Sequence, residues 1–287
     1  QSPIAAWALC EYLRNHEDRP FAARMYPLLC RNHDYWKDYC DADQDGLSEY
    51  RWSGQVADDS PIWDSVSVDL KAGYNWIPPV ASVALNSFRY KDAEHLSQIA
   101  QYLDLKEEAD RWSNRAGFLA DRINEVCLVE NEKRFWDYNQ LTRCHQRIKT
   151  FYMFWPLYAG LTVPEKTRRD LIQNVLLDPD QFFGDIPFPS VAYDEPEYDP
   201  KGYWRGRSWP HISYWLLETL WNHGYHAEAD EAARRLIARE SEVTAFTENT
   251  VTDPSLYHCD GFRGYSWSSA AAHLIQTRHY RKSIQLT

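Results

Sequence analysis

Apolar residues recur every three to four positions in one segment after another, and this recurrence restricts the chain to an all-helical fold class. Ala109, Trp112, Ala116, Leu119 and Ile123 form one stripe. Phe21, Met25, Leu28 or Leu29, and Trp36 form a second, and Ile212, Trp215, Leu216 and Leu220 a third. The spacing predicts about ten helices. They fall near 3–14, 18–38, 76–89, 92–103, 105–127, 149–159, 165–176, 209–223, 226–241 and 266–280, with neighbouring segments free to merge. Asp104, with Glu107 three residues on, has the spacing of a capping box. Pro164 and Pro210 stand where a first helical turn tolerates proline. Strand alternation is nearly absent, a short hairpin within 135–148 being the exception.

Three connections, 40–66, 177–208 and 242–265, are too long to be simple links. Loops beyond about 12–15 residues are either functional or disordered. These are rich in Trp, Tyr and Asp, so the functional reading holds. Composition sharpens it: 15% of the chain is aromatic, with 13 tryptophans, and the net charge is −11. An acidic chain lacks the basic footprint that nucleic acid demands. No apolar run reaches the length of a membrane span. Rings that stack on sugar faces, with carboxylates and arginines to hold hydroxyls, lean toward a carbohydrate as partner; aromatic residues also fill large helical cores. The six cysteines, at 10, 30, 40, 127, 144 and 259, include no CxxC pair and read as buried free thiols, not zinc ligands.

The first long loop carries "DADQDGLSEYRWSGQVADDSPIWD", residues 41–64. Asp41, Asp43 and Asp45 with Gly46 match the opening of a calcium loop. Position 52 is Trp where an EF-hand needs a bidentate Glu, so it is no EF-hand. Two readings stay open: a calcium site completed by a distant acid, or a tight turn whose aspartates cap backbone amides. Further along, Asp58, Asp59 and Asp64 crowd about Trp63. Carboxyls gathered beside a ring titrate high, which keeps an acid protonated near neutral pH; a solvated acidic turn fits the same spacing. The third loop sets Glu248 among aromatics. Glycosidic hydrolysis needs two carboxyls on opposite sides of the anomeric carbon, and Asp58 and Glu248 are the candidates.

"DGLSEY…DDSPIWD", "GYWRGRSWPHISYWLL", "FTEN" and "GYSWSSA" occur in the order found in glycoside hydrolase family 63 and its relatives. That group includes mannosylglycerate and glucosylglycerate hydrolases and, more remotely, processing α-glucosidase I and trehalases. The chain resembles it from Gln1 almost to its C-terminus. The resemblance implies an (α/α)6 toroid in a single domain over 1–287 and an inverting α-glycosidase acting on a small α-glucoside or α-mannoside. It implies Asp58 as general acid, with Asp59 as the alternative register because Ala57 replaces the family's glycine, and Glu248 as general base. Two such carboxyls would stand about 6.5–9.5 Å apart. Tyr203, Trp204, Arg205, Gly206 and Trp209 match the sugar-pocket segment, Trp267 the ring beneath the sugar, and Gln1 a substrate-facing turn. Trp63 joins the substrate-binding set. Some relatives bind calcium through a loop like 41–49, which would make Asp41, Asp43 and Asp45 ligands; no other cofactor is implied. A complete toroid has twelve helices, so the expectation is either that the N-terminal hairpins precede Gln1 or that the barrel is incomplete. Two rival readings are a non-catalytic sugar-binding relative with the same toroid and a lyase or terpene cyclase. A cyclase would carry its aspartate-rich motif on a helix, whereas the cluster here precedes a turn.

Overall fold

A computed structural model describes residues 2–51, 57–64, 80–241, 247–256 and 264–277. Gln1, Cys259 and the outer ends of the helices expected at 76–89 and 266–280 lie outside the described residues. The rest is mostly helical: α1 (Ala5–Leu13), α2 (Arg19–Tyr39), α3 (Val83–Tyr102), α4 (Lys106–Cys127), α5 (Trp155–Ala159), α6 (Glu165–Leu171), α7 (Pro210–Asn222), α8 (His226–Ser241) and α9 (Ser266–Ile275). The strands are short: β1 (Val80–Ala81), β2 (Leu128–Val129), β3 (Arg134–Phe135), β4 (Asp137–Asn139) and β5 (Cys144–Gln146). The expected hairpin is β4–β5, antiparallel with Asp137 opposite Gln146, and β1 joins it on the other edge of β4. β2 and β3 form a second, separate hairpin.

The chain divides into two units. The first comprises Gln1–Asp58, Ile62–Arg147 and Ala159–Val163. At its centre α3 packs against α1, α2 and α4. The amphipathic stripe of α4 is buried as expected, Ala109, Trp112, Ala116, Leu119 and Ile123 all facing inward. Burying a large apolar side chain stabilises by about 1.5–3 kcal/mol, so this face holds α4 in place. On α2 the buried set is Ala22, Tyr26, Leu29, His33 and Trp36. This corrects the expected stripe: Leu28 is exposed and Phe21 and Met25 are half-buried, because the polar Tyr26 and His33 take inward positions. The capping box at Asp104 does not form. Asp104 adopts φ 60°, Leu105 is the N-cap without a side-chain bond, and the Asp104 carboxylate pairs with Arg19 at 2.7 Å. Arg19 also donates to the last carbonyls of α3, Tyr102 O and Leu103 O, where a cation complements the helix dipole.

α3 is buried on nearly every side, charged positions included. Asn86 and Arg89 find partners in the loop beside them: Asn86 exchanges bonds with the Ser48 backbone, and Arg89 Nη1 donates to Gly46 O. Asp92 meets His33 at 2.9 Å, and burial pushes the carboxyl up and the imidazole down, favouring a neutral pair. Asp137 caps the start of α3, its Oδ1 accepting from Val83 N at 2.6 Å.

The second unit comprises Asp59–Pro61, Ile148–Tyr158 and Pro164–Thr287. A 3₁₀ turn, Phe151–Phe154, leads into α5, and α6 widens into a π turn at Ile172–Leu176. Pro164 is the N-cap of α6 and Pro210 the first residue of α7, where a missing N–H costs nothing. α7 packs on both α8 and α9. The long connection before α7 is organised by bridges: Pro189 pairs with Ser208, and Ser208 with Thr250. Ser208 and Thr250 exchange backbone bonds at 2.9 and 2.8 Å, which brings 247–250 alongside the entry to α7.

Candidate active site

In the first unit, the aspartate loop closes on itself. Asp41 Oδ2 accepts from Gly46 N, Asp43 Oδ1 from Asp45 N and Asp45 Oδ1 from Leu47 N. Gly46 supplies φ 96°, which a side chain would strain. One ligand oxygen from each aspartate lies within 4.8 Å of the others, about the span across a calcium ion. Asp41 Oδ1 is buried with no partner among the described residues. Glu49, wholly buried beside the loop, accepts from Ala42 N and Gln140 Nε2. Burial carries its carboxyl up to about 8, despite those two bonds. Arg122 grips Asp45 through Oδ2 at 3.1 Å and through the backbone oxygen.

At the end of that loop, Asp58 is exposed and Asp59 half-buried in a turn. Trp63 is buried, and its indole donates to Ala57 O at 2.7 Å, fixing the backbone just before Asp58. Asp59 Oδ1 accepts the Trp204 amide at 2.7 Å, so this carboxylate anchors the 202–209 segment.

The 199–209 segment is a tight double turn in the second unit. Asp199 N donates to Arg205 O, Gly202 N to Asp199 O, and Arg205 N to Gly202 O. Gly206 is glycine for a local reason: a Cβ there would meet the Asp199 carbonyl group. Trp204 and Trp209 stack face to face, 3.7 Å apart at 4°, and both are buried. Tyr203 sets its edge on Trp209 at 4.8 Å and 80°, and the Trp209 indole donates to Tyr203 O. The segment's aromatic rings therefore brace one another. Arg205 is half-buried. Arg207 reaches out of the segment, donating to Asn249 Oδ1 at 2.9 Å and to Lys201 O.

Glu248 lies at the meeting point of these elements. It is 7% exposed, and its Oε1 accepts the Tyr203 hydroxyl at 2.7 Å. Ser268, in the first turn of α9, donates to its backbone oxygen. Tyr265, the N-cap of α9, faces the same carboxylate: its phenol is raised by burial, then by the Glu248 charge and a hydrogen-bonding contact with it. Trp267 follows with 49% of its surface open, the most accessible indole of this group. Its other neighbour is His211, whose ring centroid lies 5.5 Å away, and which also contacts Trp204, Trp209 and Trp215 edge-on. Burial among these indoles lowers the imidazole to about 4, so His211 is neutral at physiological pH.

The second unit thus assembles Glu248, Tyr203, Trp204, Arg205, Gly206, Trp209 and Trp267 of the expected set, while Gln1 lies outside the described residues. Tyr265 and His211 are not among the residues that the sequence singles out. The signal for Tyr265 was available, as an aromatic residue directly before a helix start in a loop already marked functional. A buried carboxylate beside fixed phenols, with an open indole nearby, can bind a polyhydroxylated ring and take a proton from it or from water.

The family model of the mannosylglycerate hydrolase MGH1-like glycoside hydrolase domain matches residues 1–268. A mannosylglycerate hydrolase of Rubrobacter radiotolerans is 23% identical over 326 residues, covering 94% of this chain and 72% of its own length. One from Thermus thermophilus is 31% identical over 134 residues, 46% of this chain and 30% of that protein. The crystal structure of a Thermus thermophilus mannosylglycerate hydrolase in complex with glucose matches with a TM-score of 0.79 at 22% identity, over 97% of this chain and 75% of that one.

Proposed function

Because the chain belongs to the mannosylglycerate hydrolase MGH1-like glycoside hydrolase family, we propose that it is an inverting α-glycosidase acting on a small α-glucoside or α-mannoside, built as an (α/α)6 toroid. Asp58 serves as general acid and Glu248 as general base. The observation that carries this reading is Glu248 itself: a buried carboxylate, bound by Tyr203 and surrounded by rings, at the position that the resemblance gives to the base. In an inverting reaction the acid protonates the departing oxygen while the base draws a proton from a water on the opposite face of the sugar. Trp267 offers the open indole on which a pyranose would rest, and Arg205 is the group to grip hydroxyls, or the carboxylate of a glycerate aglycone.

The aspartate loop fits a calcium ion. Its three carboxylates converge, and Asp41 keeps a buried oxygen without a partner among the described residues. Asp41, Asp43 and Asp45 would hold the ion, which would neutralise the crowded charge of the loop.

The test is turnover on glucosylglycerate, mannosylglycerate, trehalose, kojibiose and nigerose, followed by proton NMR of the first product. Asp58→Asn and Glu248→Gln are each expected to abolish hydrolysis with the fold intact, and the product anomer to be inverted. Most of the activity surviving in either variant, or retention of configuration, would overturn the assignment.

A further inference from the structure

The resemblance places Tyr203 among the sugar contacts; the geometry points elsewhere. We propose that Tyr203, assisted by Tyr265, is a positioning residue that fixes the carboxylate of Glu248, an inference that rests on the reading of Glu248 as the base. A phenol has a single proton to donate. That of Tyr203 is spent on Glu248 Oε1 at 2.7 Å. The ring delivering it is locked by neighbours: Trp209 lies against its edge and bonds its backbone oxygen, and Trp209 is stacked flat on Trp204. The amide of Trp204 is in turn held by Asp59. The hydroxyl therefore stands at the end of a braced chain of rings with little rotational freedom.

Tyr265 arrives from a different element. It ends the third loop and caps α9, and α9 binds the Glu248 backbone through Ser268. One phenol is thus fixed by the entry to α7 and the other by the entry to α9, and both address one carboxylate. Glu248 has given up most of its water, and a buried carboxylate must recover those hydrogen bonds from the protein. A phenol does this by donating its proton to a carboxylate oxygen. It also sets the direction of the remaining lone pairs, which decides whether a water on the substrate's far face can be deprotonated. A tyrosine serving the sugar would affect binding; one serving the base affects the chemical step.

The experiment measures kcat and KM for Tyr203→Phe, Tyr265→Phe and the double variant, with Glu248→Gln as reference, on whichever panel sugar the parent cleaves. Tyr203→Phe is expected to lower kcat about ten- to hundredfold, the worth of one hydrogen bond to a charged group, with KM within about twofold. Tyr265→Phe should act in the same sense. A raised KM with unchanged kcat would overturn the inference and return Tyr203 to the sugar. An active Glu248→Gln variant would instead sink the base assignment, so the two failures are distinguishable. A second arm needs no turnover: thermal midpoints of Tyr203→Phe, Glu248→Gln and their combination. If the pair is coupled, the combined variant loses clearly less than the sum of the single losses. Simple additivity refutes the contact.

Discussion

Gly206 offers a sharp test of what the 199–209 segment is for. Replacing it with alanine would put a Cβ 2.7 Å from the Asp199 carbonyl carbon and 2.9 Å from Tyr198 Cε2, and closer still to the Asp199 oxygen. Ordinary contact begins near 3.4 Å, so one backbone strand of the double turn must retreat by roughly 1 Å. Three hydrogen bonds depend on that approach: Asp199 N to Arg205 O at 3.0 Å, Gly202 N to Asp199 O at 2.9 Å, and Thr252 Oγ1 to Gly206 O at 2.8 Å. Each is worth about 0.5–1.5 kcal/mol net. Overpacking adds about 1–3 kcal/mol. Were all three bonds lost, Gly206→Ala would destabilise the chain by about 2.5–7.5 kcal/mol in urea unfolding. Gly117→Ala is the control, since it sits inside α4 with nothing within 4 Å of the added methyl. It should gain about 0.5–1 kcal/mol. If Gly206→Ala unfolded within about 0.5 kcal/mol of the parent while Gly117→Ala behaved as stated, the steric account would be wrong. Gly206 would then owe its identity to the substrate.

Two further tests concern the first unit. Burial raises the Asp137 carboxyl to about 7, against bonds from Val83 N and Ser82 that pull it down. The folded chain then keeps a proton that the unfolded chain, near 3.8, gives up, so stability present below about pH 4 is lost as pH rises toward 7. The loss is at most about 4 kcal/mol, and Asp137→Asn should flatten it; an equally steep decline in the variant, from urea midpoints at pH 4–8, would refute the cause. Adding millimolar calcium to the metal-free chain should raise its melting temperature by about 5 °C, and Asp41→Asn should abolish that rise. An equal rise in the variant, by differential scanning fluorimetry, would place the ion elsewhere.

Helix positions were readable where one face is wet and the other dry. α4 is the clear case, its five predicted positions all buried. The periodicity predicts two segments, 76–89 and 92–103, where α3 runs unbroken from Val83 to Tyr102. Its polar residues are buried too, so no polar face marks out the period. On α2 the stripe slipped by one position because Tyr26 and His33 are core residues with partners, Glu108 and Asp92. In the candidate site, residue types were legible but pairings were not. Asp59 and the Trp204 amide are 145 positions apart, and Tyr203 and Glu248 are 45 apart. Spacing within a loop carries no information on which distant hydroxyl will meet a carboxylate. Hence the bond from the Tyr203 hydroxyl to Glu248 is not legible in the sequence.

The enclosure of α3 governs where this protein can accept change. A helix with one wet flank can absorb a tag, a dye or a new charge there, as α4 could at Glu107, Asp110 or Asp121, all exposed. Along α3 most positions are committed, the polar Asn86, Arg89 and Asp92 as much as Leu85 or Leu96. Engineering this chain therefore begins from its outer helices, with α3 left as inherited.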